Sequence, residues 1–103
     1  MEQTREDANE LEVRHEEQDG EGSFFVEPDR ERLGELTYSR ASPDTVVLEH
    51  TEVSPRLQGR GVGRVLVEAA VAWARRTGTK IVPMCPYAKS VIARTPAMRD
   101  VLR

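Results

Sequence analysis

The residues with the clearest chemical meaning form one run, Val53-Ser54-Pro55-Arg56-Leu57-Gln58-Gly59-Arg60-Gly61-Val62-Gly63-Arg64. Glycines alternate with other residues there, and Arg56, Arg60 and Arg64 are set among them. Glycine accepts φ > 0 and lets a ligand come close to the backbone. A helical pattern starts at Val62, so the run ends on a helix N-terminus, with unpaired N–H groups and the positive end of the dipole facing outward. Together these features make a seat for an anion, a phosphate above all. A tight turn that packs a helix on a sheet uses the same glycines, but it does not call for three cations. The run is neither the dinucleotide fingerprint Gly-x-Gly-x-x-Gly nor a Walker A loop, since no Gly-Lys-Ser/Thr follows.

Two further side chains could act on a ligand held in that seat. Cys85 is the single cysteine of the chain. It reads either as a small buried hydrophobe or as a nucleophile, and the second role needs a base to activate it. His50 lies on the strand before the run, in phase with Val46, Leu48 and Glu52. It is either a satisfied, partly buried histidine or a general base for Cys85 or an amine, work that its ordinary pKa of about 6.5 suits. Glu49 and Glu52 are rival bases. Tyr87 follows Cys85 by two residues and, on the residues alone, reads as a ring packing under the sheet. His15 reads as a residue on a strand face. No cluster of His, Cys, Asp and Glu has metal-ligand spacing, so no metal is expected, and one cysteine excludes an internal disulfide and a four-cysteine zinc site.

The elements that must position these groups can be read from periodicity. Met1 to about Asn9 is polar and aperiodic and reads as a flexible acidic tail. Glu10 to Glu17 alternates as a half-buried strand, with Leu11, Val13 and His15 on one face. Asp19-Gly20-Glu21-Gly22 signals a hairpin, and Ser23 to Glu27 is a second strand. Leu33–Arg40 reads as a third strand and Thr45–Val53, rich in β-branched residues, as a fourth. Val62, Leu66, Ala69, Ala70 and Trp73 then recur at helical spacing, and Arg75, Arg76 and Gly78 close that helix. Thr79 to Met84 is a fifth strand, whose pairing should fail at Pro83 because proline has no N–H to donate. Pro86 to Arg94 and Ala97 to Leu102 read as short helices. A meander followed by a β-α-β crossover gives an α+β fold, with strands four and five parallel and a helix packed on the sheet.

The chain has 103 residues, which suits one small domain, here spanning residues 10–103. Its net charge of −3 hides an asymmetry: residues 1–53 carry 5 Lys+Arg against 16 Asp+Glu, and residues 54–103 carry 10 against 2. A basic half that contains an anion seat points to an anionic ligand, although the two halves could equally neutralise each other. The N-terminus is acidic and polar, unlike a signal or transit peptide, and no apolar run approaches the roughly 20 residues of a membrane helix. A cytoplasmic protein is the expectation.

The run Val53-x-Pro-x-x-Gln58-Gly-Arg-Gly61-Val-Gly63 resembles the acyl-CoA pyrophosphate loop of the GNAT superfamily of N-acetyltransferases. The signature of that loop is Gln or Arg, two residues, Gly, one residue, then Gly or Ala, between strand four and a long helix. The strand order agrees from about Glu10 to the C-terminus. The short length, His50-Thr51-x-Val53 and Pro83-x-Cys85-x-Tyr87 are similar to a minimal single-domain, YjdJ-like subgroup. The resemblance implies acetyl-CoA as co-substrate, with its pyrophosphate on the backbone from Leu57 to Arg64 and its pantetheine arm between splayed strands four and five. It implies an acetyl group near Cys85, a strand-four amide that polarises the carbonyl, and Tyr87 as proton donor to the departing thiolate. The N-terminal helices that shape the acceptor pocket in larger members are missing, which leaves the amine acceptor undefined. Transfer could be direct or pass through Cys85. Two other classes remain open: an acyl-CoA-binding module without catalysis, and a nucleic-acid binder using the basic half. The second lacks the interleaved aromatics such binding uses, since aromatics are 5% of residues.

Overall fold

The computed structural model describes residues 11–103. The expected acidic tail and Glu10 lie outside the described residues. Five strands form one sheet in the order β1 (Arg14–Gln18), β2 (Glu21–Val26), β3 (Gly34–Ser42), β4 (Thr45–Val53) and β5 (Lys80–Pro83). β1 to β4 are an antiparallel meander and β5 runs parallel to β4. Helix α1 (Val62–Thr77) crosses one face of the sheet, α2 (Pro86–Ala93) follows β5, and the chain ends in a 3₁₀ turn, Pro96–Val101.

The order matches the α+β reading, and β4 and α1 begin where the periodicity places them. Other edges shift for local reasons. Asp19 (φ 55°) and Gly20 (φ 80°) form the two-residue turn, a left-handed pair that matches the twist of a hairpin. Gln18 therefore still pairs with Glu21. β1 is an edge strand whose residues are all exposed, not half-buried, and Leu11 and Val13 lie ahead of it against the rim of the core. Thr79 is held by the end of α1, its N–H donating to Ala74 O at 2.9 Å, so β5 starts one residue later.

The core lies between α1 and the sheet. Val62, Leu66, Val67, Ala70, Val71 and Ala74 form the buried stripe of α1, against Leu36, Tyr38, Val46, Leu48 and Ile81. At the C-terminal end of α1, Trp73 packs edge-on to His15 (centroids 5.1 Å apart) and near-parallel to Tyr38 (5.6 Å). The Tyr38 hydroxyl donates to Glu17 at 2.7 Å, Arg40 grips both oxygens of Glu17, and Nε2 of His15 lies 2.7 Å from the phenol oxygen. The hydrogen bonds from Arg40 and Tyr38 hold the Glu17 carboxyl at about 2. Burial, and then the bond to Glu17, push the Tyr38 phenol up, while burial pushes His15 down.

Among the described residues, two ion pairs join the acidic half to the basic half, Arg56 with Glu31 and Arg103 with Asp44. Arg64 with Glu68 and Arg75 with Asp100 pair within the basic half. The fold therefore offsets the charge asymmetry only in part.

Candidate active site

β4 and β5 share only a short ladder, Thr45↔Lys80 to Leu48↔Pro83. Pro83 has no N–H, and the next two amides, of Met84 and Cys85, both donate to Leu48 O at 3.0 and 2.9 Å. β5 stops there, while β4 continues to Val53. The pairing thus fails at Pro83 as its chemistry requires, and β4 keeps an open side beyond Leu48.

A bulge sits at the same place. Leu48 pairs with Tyr38 but His50 pairs with Thr37, so Glu49 is an extra residue on β4. It changes the phase of the strand. Val46 and Leu48 face the core, and after the bulge it is Thr51, not His50, that faces the same way. Thr51 Oγ1 lies 3.1 Å from Cys85 Sγ. His50, its neighbour, points to the opposite face and is exposed. The expected phase of His50 with Val46 and Leu48 is therefore corrected, and the structure does not bring His50 to Cys85. Cys85 is 3% exposed, at the residue preceding α2.

Past β4 the chain makes a 3₁₀ turn, Pro55–Leu57, capped by Ser54 Oγ accepting from Arg56 N at 3.2 Å. Ser54 donates its own N–H to Leu33 O across the sheet. By alternation, Val53 turns its N–H and C=O to the open side of β4. Its carbonyl there accepts from Gln58 Nε2 at 3.4 Å. Leu57 and Val62 are core side chains, 3% and 2% exposed, and offer the site only their backbone.

Gly59 (φ 82°) and Gly61 (φ 77°) hold the loop in left-handed conformations, and a Cβ on either would meet nothing within 4 Å. Gly61 is the N-cap of α1 and supplies no side-chain cap, so the first-turn N–H groups, from Val62 on, face outward without one. Gly63 has a different reason to be small: a Cβ there would lie 2.9 Å from the Tyr87 ring. That ring packs on the first turn of α1 and is 40% exposed. The result is a cleft of about 330 Å³ between the open end of β4 (Thr51, Val53), the turn and loop (Leu57 to Gly63) and Tyr87.

Most of the predicted site residues thus come together. Val53, Leu57, Gln58, Gly59, Gly61, Val62, Gly63 and Tyr87 line the cleft, and Cys85 lies beneath it through Thr51. Arg60 is exposed on the loop. Arg56 and Arg64, expected to bind the cofactor, do not line the cleft and are engaged with Glu31 and with Glu68 and Thr95. Thr51 is the residue that sequence reasoning missed. Only the bulge places it, and the sequence carries no sign of the bulge.

The arrangement supplies what an anionic, extended ligand needs. There are helix N–H groups for a phosphate, an open strand edge for an extended arm, and a tyrosine hydroxyl at the mouth. Among the described residues no three His, Cys, Asp or Glu side chains are placed to hold a metal ion, and no helix is long and apolar enough to cross a membrane.

Comparison with known proteins agrees with this geometry. Residues 23–101 match the family model described as GCN5-related N-acetyltransferase. A GCN5-like protein of Staphylococcus aureus, assigned as an N-acetyltransferase and solved by NMR, is 30% identical with a TM-score of 0.68, over 90% of this chain and 88% of that one. Ribosomal-protein-alanine N-acetyltransferase from Brucella melitensis biovar Abortus shares the fold at 12% identity and a TM-score of 0.63, over 76% of this chain and 62% of that one. AAC(6')-Iy, solved with a bisubstrate analogue of CoA, does so at 23% identity and a TM-score of 0.51, over 79% and 62%. No curated protein matches the chain.

Proposed function

We propose, from the premise that this chain belongs to the GCN5-related N-acetyltransferase family, that it moves the acetyl group of acetyl-CoA directly to an amine. The observation that carries the reading is the uncapped N-terminus of α1 at Gly61, set beside the open edge of β4 beyond Leu48. The pyrophosphate sits on the N–H groups from Gly59 to Arg64, and the pantetheine arm runs along the open edge of β4. The N–H of Val53 donates to the thioester oxygen, which gains charge as the carbonyl becomes tetrahedral. The amine nitrogen attacks that carbon, the C–N bond forms and the C–S bond breaks. The Tyr87 hydroxyl gives its proton to the leaving thiolate. The proton lost by the amine passes to His50, which an acceptor on the outer face of the sheet can reach. Cys85 serves to anchor Thr51, because its buried sulfur already has that partner and no histidine beside it.

Calorimetric titration with acetyl-CoA, followed by intact-mass analysis, tests the reading. Binding at micromolar concentration and no acetyl adduct on the protein are expected. Failure to bind at that level overturns it. An acetyl adduct that vanishes in Cys85→Ala replaces direct transfer with an acetyl-cysteine route. Binding with no turnover of any amine in a panel makes the chain a CoA-binding module.

A further inference from the structure

Two hollows meet on the open edge of β4. One is the glycine-loop cleft. The other, of about 530 Å³, lies between the start of β3 and the end of β4, with Arg32, Glu35, Glu52 and Ser54 among its lining. Thr51, Val53 and Gln58 line both. Thr51 and Val53 belong to the strand, and Thr51 is tied to Cys85. Of the three, Gln58 alone comes from the loop, so its side chain is the movable part of the boundary.

The backbone at Gln58 is fixed on both sides. Its N–H donates to Pro55 O at 3.3 Å and closes the 3₁₀ turn, and Gly59 after it holds a φ of 82°. The side chain is exposed, and its Nε2 donates to Val53 O at 3.4 Å. That carbonyl is among the backbone groups of β4 that go unpaired when β5 stops at Pro83. The Gln58 carboxamide therefore meets the strand edge as an amide of an extended ligand would, with an N–H on the carbonyl. A bond of this length between exposed groups is weak, so a better-aligned amide can take its place.

We infer that Gln58 is a latch on the cleft: its carboxamide holds the Val53 carbonyl until an amide N–H of the pantetheine arm takes it. This rests on the acetyl-CoA reading above. A ligand that must displace the latch binds less tightly, by the fraction of molecules in which the carbonyl is free. For a weak neutral bond that factor is about three. A ligand with the diphosphate but no arm meets no latch. Calorimetry with acetyl-CoA and with 3′-phospho-ADP, which is CoA without its arm, tests the inference on wild type and Gln58→Met. Methionine keeps the length of the side chain and removes the donor. The ratio of acetyl-CoA affinity to 3′-phospho-ADP affinity should be about threefold higher in the variant, and the ratio cancels any change at the diphosphate seat. In isotope-labelled wild type, the Gln58 side-chain amide signals, assigned by their loss in Gln58→Met, should move on adding acetyl-CoA and stay on adding 3′-phospho-ADP. An equal or lower ratio overturns the inference, because Gln58 is then a bystander or a ligand contact. Side-chain signals that do not respond to acetyl-CoA, or respond equally to both ligands, overturn it without reliance on the variant. Wild type that binds neither ligand removes the proposed function and the latch with it, whereas binding with an unchanged ratio removes the latch alone.

Discussion

The two ends of helix α1 meet the sheet in different ways. At the C-terminal end, Trp73 closes over His15, Tyr38, Glu17 and Arg40, which bond to one another and fill the space between helix and strands. At the N-terminal end, Gly61 brings no cap, Gly59 and Gly61 face open space, and β4 runs on with no neighbour on its β5 side. Both ends carry a left-handed glycine, Gly61 (φ 77°) and Gly78 (φ 71°). Only the second has its N–H spent inside the fold, on Ala74 O. The buried stripe runs the whole helix, but side-chain hydrogen bonds gather at one end and uncapped backbone N–H groups at the other.

The largest expected effect comes from placing the same side chain at both glycines. A β-branched residue at φ near +70° costs roughly 1–3 kcal/mol of strain. Gly61→Val and Gly78→Val should therefore lower stability in urea unfolding by similar amounts. Only Gly61→Val should weaken acetyl-CoA binding, by roughly ten- to a hundredfold in calorimetry, because the valine also occupies the seat. Equal loss of affinity in both variants would remove the distinction between the two ends. The next effect tests the packing of Tyr87. Gly63→Ala puts a Cβ 2.9 Å from that ring and should cost about 1–2 kcal/mol of stability. In a Tyr87→Ala background the same change should be close to neutral, so the double-mutant cycle should show a clear coupling.

How much of this was legible in the sequence follows from which interactions are local. The glycine loop, the extent of β4, the start of α1 and the failure of pairing at Pro83 each depend on a few adjacent residues, and each stands where it was read. The position of His50 did not. Its orientation depends on a register shift against β3, where Glu49 has no opposite number on β3. A pattern of alternating residues carries no mark of such a bulge, since the extra residue is itself an unremarkable polar one. Gly63 was read as part of the anion seat, yet its size serves a ring that arrives from α2. The knot of His15, Tyr38, Glu17 and Arg40 was also invisible, because its members come from β1 and β3 and meet only across the sheet. Residue types marked the proposed ligand seat, whereas register decided which side chains face it.

The closed end of the helix should show itself in acid. Glu17 has an ordinary value of 4.5 and is held at about 2 in the fold. Its pairing therefore stabilises the protein above pH 4.5, and the contribution is lost as pH falls through the range from 4.5 to 2. The site is partly open to solvent, so the loss should be about 1 kcal/mol. Urea unfolding at pH 6 and pH 2.5 measures it, and Glu17→Gln should be less sensitive across that window. An equal acid slope in the variant would mean that the knot does not anchor this end. The smallest effect on stability belongs to the open end. Arg56 and Glu31 are paired at 2.8 Å, but both side chains are well exposed, at 66% and 60%. Such a pair contributes about 0.5 kcal/mol or less, so Arg56→Gln should barely move the unfolding midpoint. The cation nevertheless precedes Gly59 by only three residues, and in the proposed function an arriving pyrophosphate draws it from Glu31. Acetyl-CoA affinity should fall about threefold at low salt, and the deficit should shrink as added salt screens that charge. A variant that lost stability but kept its affinity would reverse the roles assigned to the two ends, because the cation would then be holding the fold rather than the ligand.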